Sequence, residues 1–411
     1  MKRIVVLAPE PVRPRMAGMG IRALELARAL GREFDTRLLV PNAEEEARGV
    51  SGRVPVVSLS AGGLAAAAAG ADAAVVSGHA ANAWFRQLPE IPVAADLYDP
   101  FPVENLHYAR ALGPGPAASD RATLALALAR ADFFLCASPE QRLFYAGALY
   151  DAGRIGPGNF PEDPSLARLL AVVPFGVPED KAAGDRARGR TALGLPPDGP
   201  LVLFGGIYDW YDPDLLLETW PALSRACPGA RLLFFESPNP ETTPQGVFAR
   251  VRQRSRKLDP DERSIVFSPW RPYSERADLY AAADVCVSIA GHGLESDLAF
   301  RTRLLDAAWG GLPSVSIGGG TLGRELEEAG AGRQVGRDPA ELLEAIRGLL
   351  GAGVSPREAA RRFAASRSWP QVVAPLAAWC REARVDTGRQ AVPGTAREAP
   401  MSLWRRLWPV P

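Results

Sequence analysis

Short apolar runs alternate with helical stretches along nearly the whole chain, and this alternation confines the fold more than any other feature. In the first half the runs fall at 4–8, 36–40, 73–76, 92–95, 133–137 and 170–174. Helical patterns lie between them, at 21–30, 80–88, 121–130 and 140–150. In the second half the runs fall at 201–204, 231–235, 264–267, 285–290 and 313–317, with helices near 215–226, 245–257, 274–283, 300–309 and 322–329. Apolar runs this short, placed between helices, read as strands buried on both faces. The sheets are then parallel, with helices covering each side. A chain of 411 residues is too long for one ordinary core. The stretch 179–199, polar and rich in Gly, Pro and Arg, separates two such halves. The expectation is an α/β protein with two Rossmann-like domains facing across a cleft at their C-terminal strand edges. The expected boundaries are a domain at 1–180, a linker at 181–199, a second domain at 200–368, a C-terminal helix at 369–384 and a flexible amphipathic tail at 385–411.

Composition excludes several function classes. Lys+Arg and Asp+Glu are both 47, so no global charge steers the chain toward nucleic acid. Cys136, Cys227, Cys286 and Cys380 are far apart and form no CxxC pair. They read as small buried hydrophobes in a reducing cytoplasm, and no metal site is expected. The apolar run at 4–8 is too short for a signal peptide, and no stretch approaches the ~20 residues of a membrane span. The end of the chain, Met401-Ser-Leu-Trp-Arg-Arg-Leu-Trp408, is amphipathic. It either docks on its own domain or touches a membrane surface through Trp404, Arg405, Arg406 and Trp408, which would make the protein peripheral on the inner membrane face.

The chemistry gathers where strands hand over to helices, which is where open α/β sheets bind ligands. After the run 285–290 come Glu295, then Arg301 and Arg303 at a helix start, then Asp306 about a turn further on. Guanidinium suits a diphosphate, a helix N-terminus favours phosphate, and a carboxylate suits ribose hydroxyls. Of the two arginines, Arg301 is expected to grip the diphosphate, leaving Arg303 to pair with Glu295 or Asp297. Gly205 and Gly206 end the run 201–204 and let a backbone approach a ligand closely. Tyr208, Trp210 and Tyr211 follow, fit either to stack on a base or sugar or to fill an interface. Trp270 and Arg271, after the run 264–267, sit where main chain can read a base edge. Gly318-Gly-Gly-Thr321 makes a further phosphate-tolerant loop.

In the first half, Asp96 and Asp99 follow the run 92–95 and can bind sugar hydroxyls or handle a proton, or else cap the turns around Pro100 and Pro102. His79 follows the run 73–76 and is the third catalytic candidate; its alternative is loop packing. His107 reads as structural and His292 as a loop residue. Gly18-Met-Gly20-Ile-Arg-Ala23 matches a dinucleotide fingerprint, but nine residues with three prolines separate it from the strand, so it is not an NAD site. Gly20 is read instead as an acceptor-side backbone amide. Asp212-Pro-Asp214 and Asp259-Pro-Asp261 hold prolines and read as turns or caps rather than metal ligands.

These residues, in this order, resemble the GT-B glycosyltransferases, and within them family 4, the retaining group 1 enzymes. Leu279-Tyr-Ala-Ala-Ala-Asp-Val285 is similar to that family's LYxxADV stretch, and Leu305-Asp-Ala-Ala-Trp-Gly-Gly-Leu-Pro313 to its EAMAxGxP. Phe175-Gly-Val177 is similar to its segment before the linker. The resemblance spans about residues 3–380. It implies transfer of a sugar from a nucleotide diphosphate donor to a polysaccharide, lipid-linked or natural-product acceptor, with retention, without a metal and without a cofactor. The C-terminal domain would bind the donor and the N-terminal domain the acceptor. The chain departs from the family in three places. Position 298, eight before Asp306, is Leu where the family has its first acid, so Glu295 or Asp297 takes that role. The second acid is Asp. The basic pair that grips the diphosphate after the first strand of the second domain is missing. Two alternatives fit the same fold: a nucleotide-sugar epimerase, and a non-catalytic sugar-binding subunit.

Overall fold

Every apolar run forms a strand, and most strand residues are buried, as sheets covered on both faces require. The computed structural model describes residues 1–390 apart from 89, 238, 239, 241 and 242; the tail residues Trp404, Arg405, Arg406 and Trp408 lie outside the described residues. The described residues divide into two compact units, the first holding Met1–Phe175 and 369–390, the second holding Gly176–Ser368.

In the first unit the strands are β1 (Arg3–Leu7), β2 (Asp35–Val40), β3 (Val56–Ser58), β4 (Ala73–Ser77), β5 (Val93–Asp96), β6 (Phe133–Cys136) and β7 (Leu170–Val172). They form one parallel sheet in the order β3-β2-β1-β4-β5-β6-β7. The order reverses between β1 and β4, so the loops after those strands open the crevice where such sheets take ligands. Val5, Leu39, Val76, Trp84, Ala95, Phe134 and Tyr145 fill the core on one face.

In the second unit the strands are β8 (Leu201–Gly206), β9 (Arg231–Phe235), β10 (Ile265–Ser268), β11 (Val285–Ile289), β12 (Ser314–Ile317) and β13 (Gly332–Gln334). Their order is β10-β9-β8-β11-β12-β13, again all parallel. Val202, Phe204, Leu217, Trp220, Phe234, Val287 and Val315 pack together there. The two strands that the apolar pattern missed, β3 and β13, are three-residue strands at sheet edges. An edge strand needs less apolar surface, so its pattern is weak.

The unit boundaries differ from those expected. The stretch 181–199 is not a free linker but part of the second unit. Its helix Arg186–Ala192 packs on the helix Arg276–Ala282, and a Cβ on Gly189 would lie 2.2 Å from Asp278 O. Arg186, Arg190 and Arg357 converge on Asp284, the acid of Ala-Asp-Val, and also bond the carbonyls at the end of Arg276–Ala282. Residues 386–390, expected to begin a flexible tail, are held on the first unit. Arg154 pairs with Asp386 at 2.7 Å, Arg389 with Asp132, and Gln390 N donates to Ala129 O at 2.9 Å. Cys136, Cys286 and Cys380 are buried thiols, pushed up to about 12 first by burial, and none of the four cysteines is in a disulfide. Among the described residues no helix is long and apolar enough to cross a membrane.

Candidate functional site

The C-terminal edge of the second sheet is built on an irregular strand end. The register of β8 with β9 shifts between Leu203 and Gly205, and Gly205 has a φ of +87° that L side chains rarely adopt. Gly206 is required for another reason: a Cβ there would lie 2.7 Å from Trp270 Cζ3. Trp270 therefore lies against the strand end, edge-on to Phe235 at a centroid separation of 6.2 Å. Arg271 beside it is paired with Glu275 at 2.6 Å.

Arg303 reaches this strand end from the helix Thr302–Trp309. Its Nη1 donates to Phe204 O and its Nη2 to Gly206 O, each at 2.7 Å. The guanidinium lies 3.9 Å from the centroid of Tyr211, a cation–π contact that holds it flat. Tyr208 and Trp210 stack on one another at 4.9 Å with only 2° between their planes, and both are half-buried. Asp209 between them accepts from Val247 N at 3.3 Å.

Arg301 has a different fate from the one expected of it. The run 294–309 is two helices, Leu294–Leu298 and Thr302–Trp309, and Arg301 is the residue before the second. It is 3% exposed, and its Nη2 donates to Glu295 Oε2 at 2.7 Å in a pair buried on both sides. The two arginines thus exchange the places given them from sequence: Arg301 pairs with Glu295, and Arg303 lies at the Gly205–Gly206 strand end. The break between the helices turned the side chains away from the directions that one regular helix would give. Between the two candidates for the first acid, Glu295 is buried and Asp297 exposed. Glu295 Oε1 has no hydrogen-bond partner.

Asp306 is half-buried one turn after Arg303. The Tyr280 hydroxyl is pushed well above its ordinary range, first by burial and then by the Asp306 charge. Tyr280 also explains Gly310: a Cβ there would be 2.3 Å from Tyr280 Cβ. His292 is exposed. The acids of both Asp-x-Asp motifs contact neighbouring groups of the second unit. Asp212 pairs with Arg337, Asp214 with Arg250 and Arg254, and Asp259 accepts from Ser264 N and Ile265 N. Among the described residues no group of three or more His, Cys, Asp or Glu is placed to hold a metal ion.

The corresponding edge of the first unit collects residues from the ends of β1, β4 and β5. Asp96 is buried and held by Arg22, which is itself 1% exposed: Nε and Nη2 donate to the two carboxylate oxygens at 2.6 and 2.9 Å. Arg22 also donates to Val173 O and Pro174 O and lies over the Tyr98 ring. The Asp96 carboxylate therefore ties β5 to the helix Gly18–Leu30 and, through Arg22, to the chain at Val173 and Pro174. Asp99 is half-buried. Gly20, expected to offer its amide outward, donates it instead to Glu10 Oε1 at 2.6 Å. A Cβ on Gly20 would be 3.2 Å from that oxygen, so the glycine makes room for Glu10. Burial raises the Glu10 carboxyl, the Gly20 N–H lowers it, the Asp99 charge raises it and Arg13 lowers it, with a net value of about 7.

His79 has both ring nitrogens bonded to one helix, Gly115–Arg130: Nε2 lies 2.7 Å from Asp120 Oδ1 and Nδ1 3.0 Å from Thr123 Oγ1. His107 is exposed. Glu10, Arg22 and Asp120 were not singled out in the sequence. Arg22 and Asp120 lie in helices whose partners are 74 and 41 residues away, so no local pattern marks them. Glu10 carried one usable signal, an acid directly after the first strand.

No protein-family model matches the chain. Among curated proteins it is 33% identical over 236 residues to the D-inositol 3-phosphate glycosyltransferase of Geodermatophilus obscurus, covering 56% of this chain and 51% of that one. It is 33% identical over 153 residues to the protein of the same name from Segniliparus rotundus, covering 35% of this chain and 33% of that one. The chain thus spans about half, or less, of the length of these relatives. Among solved structures it superposes on sucrose-phosphate synthase from Thermosynechococcus elongatus with a TM-score of 0.65 at 16% identity, covering 93% of this chain and 99% of that one. Anabaena HepE in complex with UDP-glucose gives a TM-score of 0.65 at 17% identity over 93% and 99% of the two chains. WaaG, a glycosyltransferase of lipopolysaccharide biosynthesis, gives 0.59 at 15% over 92% and 99%. The two parallel α/β units of this chain have the GT-B fold of glycosyltransferases.

Proposed function

We propose that the chain is a glycosyltransferase that moves a sugar from a nucleotide diphosphate donor bound by its second unit to an acceptor bound by its first. The observation that carries this reading is Arg303, a guanidinium laid across the Gly205–Gly206 strand end and bonded there to carbonyl oxygens rather than to a carboxylate. A leaving diphosphate needs positive charge and fixed donors that are in place before charge develops. Arg303 supplies them where the chain lacks the basic pair of the family it resembles. Asp306, half-buried one turn on, is suited to the two hydroxyls of a ribose. Glu295, with one carboxylate oxygen on Arg301 and the other unpartnered, is suited to a hydroxyl of the donor sugar. Trp270 on Gly206, and the stacked Tyr208 and Trp210, offer flat apolar surface for the base or the sugar.

The partial match to enzymes named for D-inositol 3-phosphate, together with a solved neighbour in complex with UDP-glucose, supports the reaction class and makes UDP the first nucleotide to try. A thermal-shift panel of UDP, GDP and dTDP tests the donor site, with at least one expected to raise the melting temperature. If none does, the reading fails. With the nucleotide known, release of free nucleotide from its sugar conjugate only when an acceptor is present separates transfer from epimerisation. The anomeric configuration of the product then tests the retention implied by the family resemblance.

A further inference from the structure

A small polar network lies beneath the ligand edge of the first unit. Asp120 is fully buried, and its two oxygens face different partners: Oδ1 is 2.7 Å from His79 Nε2, and Oδ2 accepts from Asn105 Nδ2 at 2.9 Å. One turn along the same helix, Thr123 Oγ1 is 3.0 Å from His79 Nδ1 and accepts from Asn82 Nδ2 at 2.8 Å. Four separate segments meet here: the turn after β4, the helix Ala81–Gln87, the turn Asn105–Tyr108 and the helix Gly115–Arg130.

The donor and acceptor inventory allows one arrangement of protons around the neutral ring. An ionised carboxylate only accepts, so Nε2 must carry a hydrogen toward Asp120. Nδ1 is then an acceptor, and the single Thr123 hydroxyl hydrogen points at it while a Thr123 lone pair takes the Asn82 N–H. The lone pair that a general base would use is thus covered by a hydroxyl, and the N–H that an acid would use is bonded to Asp120. Phe101 packs against the ring at a centroid separation of 5.5 Å and restricts its tilt.

We propose that Asp120 is a positioning residue that holds His79 as its Nε2–H tautomer in one fixed orientation, so that His79 shapes the acceptor side of the site rather than carrying a proton. The functional part of this inference rests on the reading of the first unit as the acceptor unit; the tautomer part does not.

The experiment is nitrogen-15 NMR of histidine-labelled full-length protein at alkaline pH, where imidazoles are neutral. The chain has only three histidines, and His79→Gln identifies the signal of interest. In the wild type, His79 is expected to show a protonated Nε2 and an unprotonated Nδ1. Asp120→Asn is expected to shift it toward the other tautomer, since an amide can donate where the carboxylate could not, while Thr123→Val keeps the wild-type form. An Nδ1–H tautomer in the wild type overturns the proposal without any variant, as does an Asp120→Asn spectrum unchanged from wild type. In turnover assays, His79→Gln, which can still donate to Asp120, is expected to raise the acceptor KM more than it lowers kcat; a loss of three orders of magnitude or more in kcat identifies a proton carrier, and an unchanged acceptor KM removes the shaping role, and either result refutes the functional part. Calorimetry with the nucleotide found in the thermal-shift panel, expected to give the same Kd for wild type and Asp120→Asn, separates failures. If the wild type binds no nucleotide, the functional reading falls while the tautomer result stands.

Discussion

Replacing Arg303 by Ala tests the donor site, and replacing Arg301 by Ala is its control. Arg303 bonds two main-chain carbonyls at 2.7 Å each, so its charge is met by dipoles and not by a carboxylate. Losing one charge-assisted hydrogen bond to a diphosphate costs about 1.5–3 kcal/mol, a weakening of roughly 10- to 150-fold in Kd. Arg301 is 3% exposed and paired with a Glu295 that is 4% exposed. Its removal leaves a buried carboxylate uncompensated, which costs about 3–5 kcal/mol of folding stability. Calorimetric titration with UDP or another panel nucleotide, together with urea unfolding of the same samples, reads both quantities. Arg303→Ala is expected to lose nucleotide affinity with the smaller stability loss, and Arg301→Ala to lose stability first. Arg303→Lys is expected to recover only part of the affinity, because an ammonium cannot span Phe204 O and Gly206 O as the planar fork does. An Arg303→Ala protein with unchanged nucleotide affinity refutes the reasoning. So does an Arg301→Ala protein as stable as the wild type.

Glu10→Gln addresses pH. The folded-state value of about 7 lies above the ordinary glutamate value of 4.5, so between these pH values the folded state holds a proton that the unfolded chain has released, and stability falls as pH rises. Glu10→Gln removes that loss and is expected to gain, relative to wild type, on the order of 1–3 kcal/mol more at pH 8 than at pH 5 in urea unfolding; an equal difference at both pH values contradicts the burial argument. Asp96→Asn breaks the buried pair with Arg22 and is expected to cost about 3–5 kcal/mol, much of it recovered by Arg22→Met with Asp96→Leu. If Asp96→Asn folds as stably as wild type yet abolishes turnover, Asp96 handles a proton after all. Ending the chain after Ala399 removes Trp404, Arg405, Arg406 and Trp408 and is expected to reduce sedimentation with anionic vesicles while leaving nucleotide affinity intact. Full-length protein that ignores such vesicles at low salt shows that the tail is no anchor.

The sequence by itself determined the elements and the fold class, because both depend on local periodicity. Each apolar run from 4–8 to 313–317 became a strand, and the parallel arrangement followed from their alternation with helices. It also put Gly205 at the end of one apolar run, and Glu295, Arg303 and Asp306 in the segment that follows another. Tertiary structure alone decided which side chains meet. Asp96 is bonded by Arg22 from 74 residues away, His79 by Asp120 from 41, and Gly206 by Arg303 from 97. Those pairings arise because β1, β4 and β5 are neighbours in one sheet, and β8 and β11 in the other, and strand order is a long-range property. The contacts of Arg301 and Arg303 have the same origin. The break between the helices Leu294–Leu298 and Thr302–Trp309 leaves Arg301 outside both, where it meets Glu295, and puts Arg303 in the first turn of the second. Local pattern fixes where a residue stands along its element; the packing of elements distant in sequence fixes what its charge is used for.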